Sequence, residues 1–276
     1  MNRIFGLLSL LLTLPSLLAA QGVLIAPTSV FMDSRSRTAT VLLVNPNDQP
    51  VEITLSTTYG YAITDSAGRF EPWFTDAPDS TAPSAASWIR IFPRRVSIEP
   101  KAQQVVRLLV SPPPALADGE YWARLVVMAR GGELKVSGTT DSNTVTIGLP
   151  MQVRTILPIL YRKGQVETAA SVSGLSATRD GDSLVVRAQL GRSGNAALLA
   201  TVRGELADSA GAVRGRFALP VSIYAPIAPR FTIPVDSLPA GRYTLRVELA
   251  PGRSDLPAES LLPFRAARDS LPVTLP

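Results

Sequence analysis

The 276-residue sequence has no cysteine and no histidine. Without thiols there is no disulfide, no thiolate nucleophile and no thiolate ligand for a metal. Without imidazole there is no Ser-His-Asp triad, no His-bearing zinc site and no haem histidine. Catalysis would have to rest on carboxylates, lysine, Ser/Thr or tyrosine. Lysine itself is scarce: only Lys101, Lys135 and Lys163 occur, so arginine supplies most of the 27 basic residues behind the net charge of +5. Those arginines are scattered rather than clustered with aromatics, so no nucleic-acid partner is expected.

Long apolar runs are also missing, with one exception. After Met-Asn-Arg, residues 4–18 are almost wholly apolar and end in Ala19-Ala20. A basic start, an apolar middle and small closing residues read as a secretory signal peptide over 1–20, hence export to the periplasm. The run is shorter than the roughly 20 residues that span a bilayer. Since export permits disulfides and none can form, the cores must hold by packing alone.

What is present is punctuation. Prolines (24) and glycines (19) are spread along the chain between short alternating segments. TATVLLV at 38–44 ends on Asn45-Pro46-Asn47-Asp48, a strong turn signal, and VEITLS restarts the alternation at 51. Further segments follow at 104–110, 121–128, 145–153, 183–190, 198–206, 216–223, 230–235 and 243–249. Many short strands at regular spacing predict an all-β protein of antiparallel Ig-like sandwiches. An internal echo predicts two of them: LADGEYWARLVV at 116–127 and LPAGRYTLRVEL at 238–249, at an offset of 122 residues. A Gly two residues before a Tyr at the start of a late strand suits a tyrosine corner, so Tyr121 and Tyr243 are read as structural. Asp-Ser-Ala-Gly recurs at 65–68 and 208–211 and suits hairpin turns. The predicted division is 21–161 for the first sandwich and 162–276 for the second, with the Pro- and Arg-rich tail beyond Pro251 ending in a mobile segment.

Candidate chemistry is thin. Asp180-Gly181-Asp182 lacks the oxygen-rich loop that calcium requires and reads as a hairpin turn. Asp76 and Asp79 lie in a Pro/Ser/Ala stretch read as a surface loop. No enzyme, metal, cofactor or small-molecule substrate is predicted. The informative segment is TVTIGLPMQV, in which Val145, Ile147, Leu149, Met151 and Val153 alternate with Thr, Gly, Pro and Gln. Pro150 confines this strand to an edge or a bulge. An edge with five alternating apolar residues is an aggregation hazard unless something covers it. Either the chain caps it, or it docks another chain by strand addition.

Residues 22–163 resemble the periplasmic pilus-assembly chaperones, the PapD-like family. The resemblance rests on GVLIAPTSVFMD as a first strand, TVLLVNPNDQPVEI, IFPRRVSIEPKAQQVVRLLVSPP, DGEYWARLVV, TVTIGLPMQV and Tyr161-Arg162. It implies two Ig-like sandwiches set in an L. It also implies that Val145, Ile147, Leu149, Met151 and Val153 are donated to the incomplete fold of a pilus or secreted subunit, with an outer-membrane usher as a further partner. Glu120 and Arg162 match an interdomain salt bridge of the family, a structural role. The family's two basic residues that hold a subunit's terminal carboxylate fall on Ser29 and Pro158, which carry no charge. Arg154 is the candidate substitute, with Arg35 and Arg37 behind it. A structural or adhesive surface protein on the same scaffold is the alternative.

Overall fold

The computed structural model describes residues 22–276 except 141 and 142, and for 132–150 it describes the backbone alone. The expected signal segment lies outside the described residues. The described residues form seventeen strands, ordered in two pairs of sheets.

The first pair comprises β1 (Leu24–Ala26), β2 (Val30–Asp33), β3 (Thr38–Val44), β4 (Val51–Thr64), β5 (Phe70–Thr75), β6 (Ile89–Phe92), β7 (Arg95–Ile98), β8 (Gln103–Val110), β9 (Gly119–Thr140) and β10 (Asn143–Lys163). One sheet runs β1-β3-β8-β6; the other runs β2-β10-β9-β4-β5, with β7 also on β4. The second pair comprises β11 (Thr168–Asp180), β12 (Ser183–Gly194), β13 (Leu198–Asp208), β14 (Val213–Ile223), β15 (Arg230–Pro234), β16 (Gly241–Ala250) and β17 (Ala267–Leu275), in sheets β11-β12-β15 and β14-β13-β16-β17. In the second pair the first, second and fifth strands (β11, β12, β15) lie against the third, sixth and seventh (β13, β16, β17), which is the Ig arrangement; in the first pair β3 and β8 lie against β4, β9 and β10 in the same way.

Alternation explains the packing. β3 buries Val41 and Leu43, and β8 buries Val106, Leu108 and Val110. They face Leu125 and Val127 of β9 and Leu157, Ile159 and Tyr161 of β10 across the first core. The second core joins Leu184, Val186 and Leu190 of β12 to Val202 of β13 and Leu245, Val247 and Leu249 of β16. Each such side chain contributes about 1.5–3 kcal/mol on full burial, and no disulfide adds to it.

Predicted turns take their expected form. Asn45 is fully buried and its Nδ2 donates to the carbonyls of Gln49 and Ile98, at 2.8 and 2.9 Å, which ties the 45–48 turn to β7. Asp65 and Asp208 accept backbone N–H groups at the two Asp-Ser-Ala-Gly turns, and Gly68 and Gly211 take positive φ. Tyr121 and Tyr243 donate their hydroxyls to the carbonyls of Ala117 and Pro239, at 3.0 and 2.8 Å.

Two expectations are corrected. GVLIAPTSVFMD is not one strand: β1 pairs with β3 in one sheet, and β2 runs parallel to β10 in the other. Proline 27, lacking an N–H, ends the first ladder. The end of the chain is not a mobile tail: β17 pairs with β16 from Gly241 to Leu249. Its alternation buries Val273 and Leu275, and Pro272 is tolerated because β17 is the outermost strand of its sheet.

Candidate functional site: an open strand edge and the cleft beside it

β9 and β10 form a long antiparallel hairpin that carries the site. Arg162 stands opposite Glu120, Pro158 opposite Arg124, Val153 opposite Ala129, and Leu149, Ile147 and Val145 opposite Leu134, Val136 and Gly138. The register slips between Pro150 and Gln152, where β9 advances from Arg130 to Glu133 while β10 advances by one residue fewer. The extra residue lies in the Gly131–Gly132 segment, so Pro150 sits at a bulge, one of the few places a sheet admits proline.

The other edge of β10 is divided. β2 covers it only from Ile159 to Arg162, and no described strand pairs with it from Asn143 to Pro158. Among the strands of the second sandwich, none pairs with β10. On this segment Met151 and Val153 are half-buried, in strand parity with Leu157, Ile159 and Tyr161 of the first core. The side chains of Val145, Ile147 and Leu149 lie outside the described residues.

At the base of the hairpin the two sandwiches meet. The Glu120 side chain is completely buried, and the Arg162 Nε donates to its Oε2 at 2.7 Å. Both residues belong to the first sandwich, as cross-strand neighbours. The reach across the junction comes from Oε1, which accepts Trp122 Nε1 at 2.9 Å and the backbone N–H of Ala197 at 3.0 Å. Three donors thus compensate one buried carboxylate. Asn195 reinforces the seam: its Nδ2 donates to the carbonyls of Asp118 and Gln165, and its own carbonyl accepts the Glu120 N–H at 2.9 Å. Gly164 is required there, since it has φ of +60° and an added Cβ would run into the Asp118 carboxylate.

An aromatic cluster fills the rest of the junction. Tyr224, which follows β14, stacks on Tyr61 at 5.8 Å and meets Trp122 edge-on at 4.8 Å. Burial, then the neighbouring Tyr61, pushes Tyr59 up to about 12. Arg192 of the second sandwich lies 5.1 Å over the Trp122 ring, and burial holds its guanidinium below the usual arginine range.

Beside this cluster opens a cleft of about 500 Å³, walled by Phe70, Phe74, Ile156 and Pro158 on one side and Leu219 and Tyr224 on the other. Its charged lining residues are Arg124, only 7% exposed, and the exposed Glu71 of β5. Arg124 Nε donates to the Gly60 carbonyl at 2.7 Å, and Nη1 donates to the Tyr224 hydroxyl at 3.3 Å. Its guanidinium carbon lies 4.6 Å from the Tyr224 ring centre. No carboxylate among the described residues pairs with it within 4.0 Å. A buried, unpaired arginine in an apolar wall is suited to an anion with planar oxygens.

The residues singled out from sequence divide accordingly. Ser29 is half-buried just before β2, and Pro158 lines the cleft. Arg154 is exposed, with its guanidinium 5.5 Å over the Phe74 ring, while Arg35 and Arg37 are exposed on the loop between β2 and β3. Arg124 went unmarked in the sequence. Its signal was its place opposite Pro158, which only the register reveals.

No family model matches the sequence. No curated protein matches it either. Among solved structures, the chain is similar to the CupB2 chaperone of Pseudomonas aeruginosa, with 15% identity over 92% of this chain and 100% of that one, at a TM-score of 0.43. It is similar to a chain of the CsuC–CsuE chaperone–tip adhesion subunit pre-assembly complex of Acinetobacter baumannii, with 13% identity, 82% and 93% coverage and a TM-score of 0.44. A third likeness is to the Salmonella enterica SafA pilin in complex with the SafB chaperone, with 15% identity, 82% and 89% coverage and a TM-score of 0.41. The two Ig-like sandwiches of this chain stand on its own strand order.

Proposed function

We propose that this protein is an exported, non-enzymatic chaperone-like protein that captures an extended segment of a pilus-like or secreted subunit along β10. The observation that supports this most is the outer edge of residues 143–158, which no described strand covers. An extended chain laid there gains backbone hydrogen bonds, while Val145, Ile147, Leu149, Met151 and Val153 enter the subunit's own groove. Five apolar side chains at about 1.5–3 kcal/mol each leave a net anchor after ordering costs. Periplasmic localisation rests on the expected signal segment and the presence of two domains on the internal echo; the expected boundary at 161/162 moves past Lys163, where β10 ends.

The carboxylate contact is reassigned from Arg154 to Arg124. Arg154 sits in water, where an ion pair contributes roughly 0–1 kcal/mol; Arg124 is buried at the cleft, and no carboxylate among the described residues lies within 4.0 Å of it. For the usher, the open outer face of β1-β3-β8-β6 is the available surface: Leu24, Phe92, Val105 and Leu109 are exposed on it. Those four strands contain Arg90 and Arg107 and no acidic residue.

The test uses a synthetic peptide of alternating valine and threonine ending in phenylalanine. Replacing Leu149 and Met151 together by Asp should abolish its capture without lowering the melting temperature. Unchanged capture would eliminate strand addition at this edge. A structural or adhesive surface protein is the second reading, favoured by the uncharged Ser29 and Pro158; it predicts no capture by the parent protein.

A further inference from the structure

We infer that Tyr224 is an internal occupant of the anion site: its hydroxyl holds Arg124 until an anionic ligand takes its place, so that occupation of the cleft is coupled to how the two sandwiches close. The inference rests on the reading of Arg124 as a carboxylate contact and adds to it a partner residue and a direction of response.

Three observations converge. First, Arg124 and Tyr224 belong to different sandwiches, on β9 and just after β14, and both line the cleft. Second, their hydrogen bond is long, at 3.3 Å, and is made to a neutral oxygen. A carboxylate bonds a guanidinium through two oxygens at roughly 2.7–2.9 Å, with about twice the strength of a neutral acceptor. An arriving carboxylate therefore outcompetes the phenol. Third, Tyr224 is tied to the junction through its other groups: its carbonyl accepts Arg192 Nε at 2.8 Å, and its ring packs on Tyr61 and Trp122. A shift of its hydroxyl away from Arg124 is thereby passed to the contacts that join the sandwiches. Energetically, the ligand favours the arrangement in which Arg124 is free, and it shifts the equilibrium only by that difference.

The absence of cysteine makes the test clean. Cysteines introduced at the exposed positions Thr40 and Ser270 carry spin labels, one on each sandwich, and the distance between them is followed by pulsed electron resonance. The probe is the alternating peptide with a free carboxylate, and the control is its terminal amide. The free acid should move the distance distribution and the amide should not. Tyr224→Phe keeps the ring packing and removes the hydroxyl. It should show part of the shift without peptide and bind the free acid several-fold more tightly than the parent. Arg124→Gln should lose the preference for acid over amide.

If the acid binds better than the amide but the distance distribution stays fixed, the coupling is overturned while the carboxylate reading stands. If Tyr224→Phe binds the acid more weakly, the hydroxyl is a ligand and not an occupant, and the inference is again overturned. If acid and amide bind the parent protein equally, the carboxylate reading falls and the inference with it.

Discussion

The two echoing strands, β9 and β16, begin alike and end in different surroundings. Each opens with a glycine and has, two residues on, a tyrosine whose hydroxyl bonds the carbonyl four residues upstream of it. Each places an arginine three residues further on, Arg124 and Arg246. Arg124 is buried in the cleft beside Trp122 and Tyr224, whereas Arg246 is exposed, opposite Glu205 and Ser270 on the outer face of its sheet. The partners alongside differ as well: β16 is bordered by β17, of 9 residues, and β9 by β10, of 21, whose outer edge is open over most of its length. A local pattern sets the corner and the alternation. Whether the outward arginine becomes a solvated charge or a binding group is decided by what the rest of the chain packs against that face.

Breaking this comparison should have its largest effect at the first position after the glycine. Glu120→Ala leaves Arg162, Trp122 Nε1 and the Ala197 N–H without their acceptor. Thermal or urea unfolding should show a loss of about 3 kcal/mol, the low end for a broken buried pair because Arg162 keeps some contact with water. At the echoing position, Arg242→Ala should change stability by no more than about 0.5 kcal/mol, since Arg242 is exposed. The tyrosine corners come next. Tyr243→Phe and Tyr121→Phe should each cost about 0.5–1.5 kcal/mol, with Tyr243 the larger because its bond is the less exposed.

The smallest effect separates the two Asp-Ser-Ala-Gly turns from the rest. The Arg69 backbone N–H holds Asp65 below the usual carboxylate range, and the Arg214 side chain does so for Asp208. A carboxyl group with a depressed folded-state pKa stabilises the fold above the unfolded aspartate value, roughly 3.9, and the contribution disappears as pH falls through the folded value. Urea midpoints measured from about pH 5 down to about pH 2.5 should therefore fall slightly less steeply in Asp65→Asn and Asp208→Asn than in the parent protein. A steeper fall would contradict the assignment.

Much of the fold was legible because alternation and turn chemistry agree locally. Thr38–Val44 is a strand with the predicted bounds, and the turns at 45–48, 65–68 and 208–211 use the side-chain and glycine geometry their residues favour. β11 was not legible: Ser, Ala and Gly give it little apolar contrast, and it becomes a strand by pairing with β12. β17 was hidden by Pro272 and its charges, although Leu271, Val273 and Leu275 carry the period of a strand. In the site, the alternation of 145–153 pointed to β10, but the unpaired edge could be seen only in the sheet order. Arg124 was illegible for a different reason: in sequence it is indistinguishable from Arg246, and only the cross-strand register with Pro158 and the contact with Tyr224 tell them apart.

Residues 143–158 of β10 are the edge expected to accept an added strand. Amide hydrogen exchange along β10, with and without the alternating peptide, measures this directly. Pairing at the open edge should slow exchange at those amides of residues 143–158 that do not bond to β9, with no change in β17, the outermost strand of the other sandwich. Binding of the peptide with exchange along β10 unchanged would rule out strand addition at this edge.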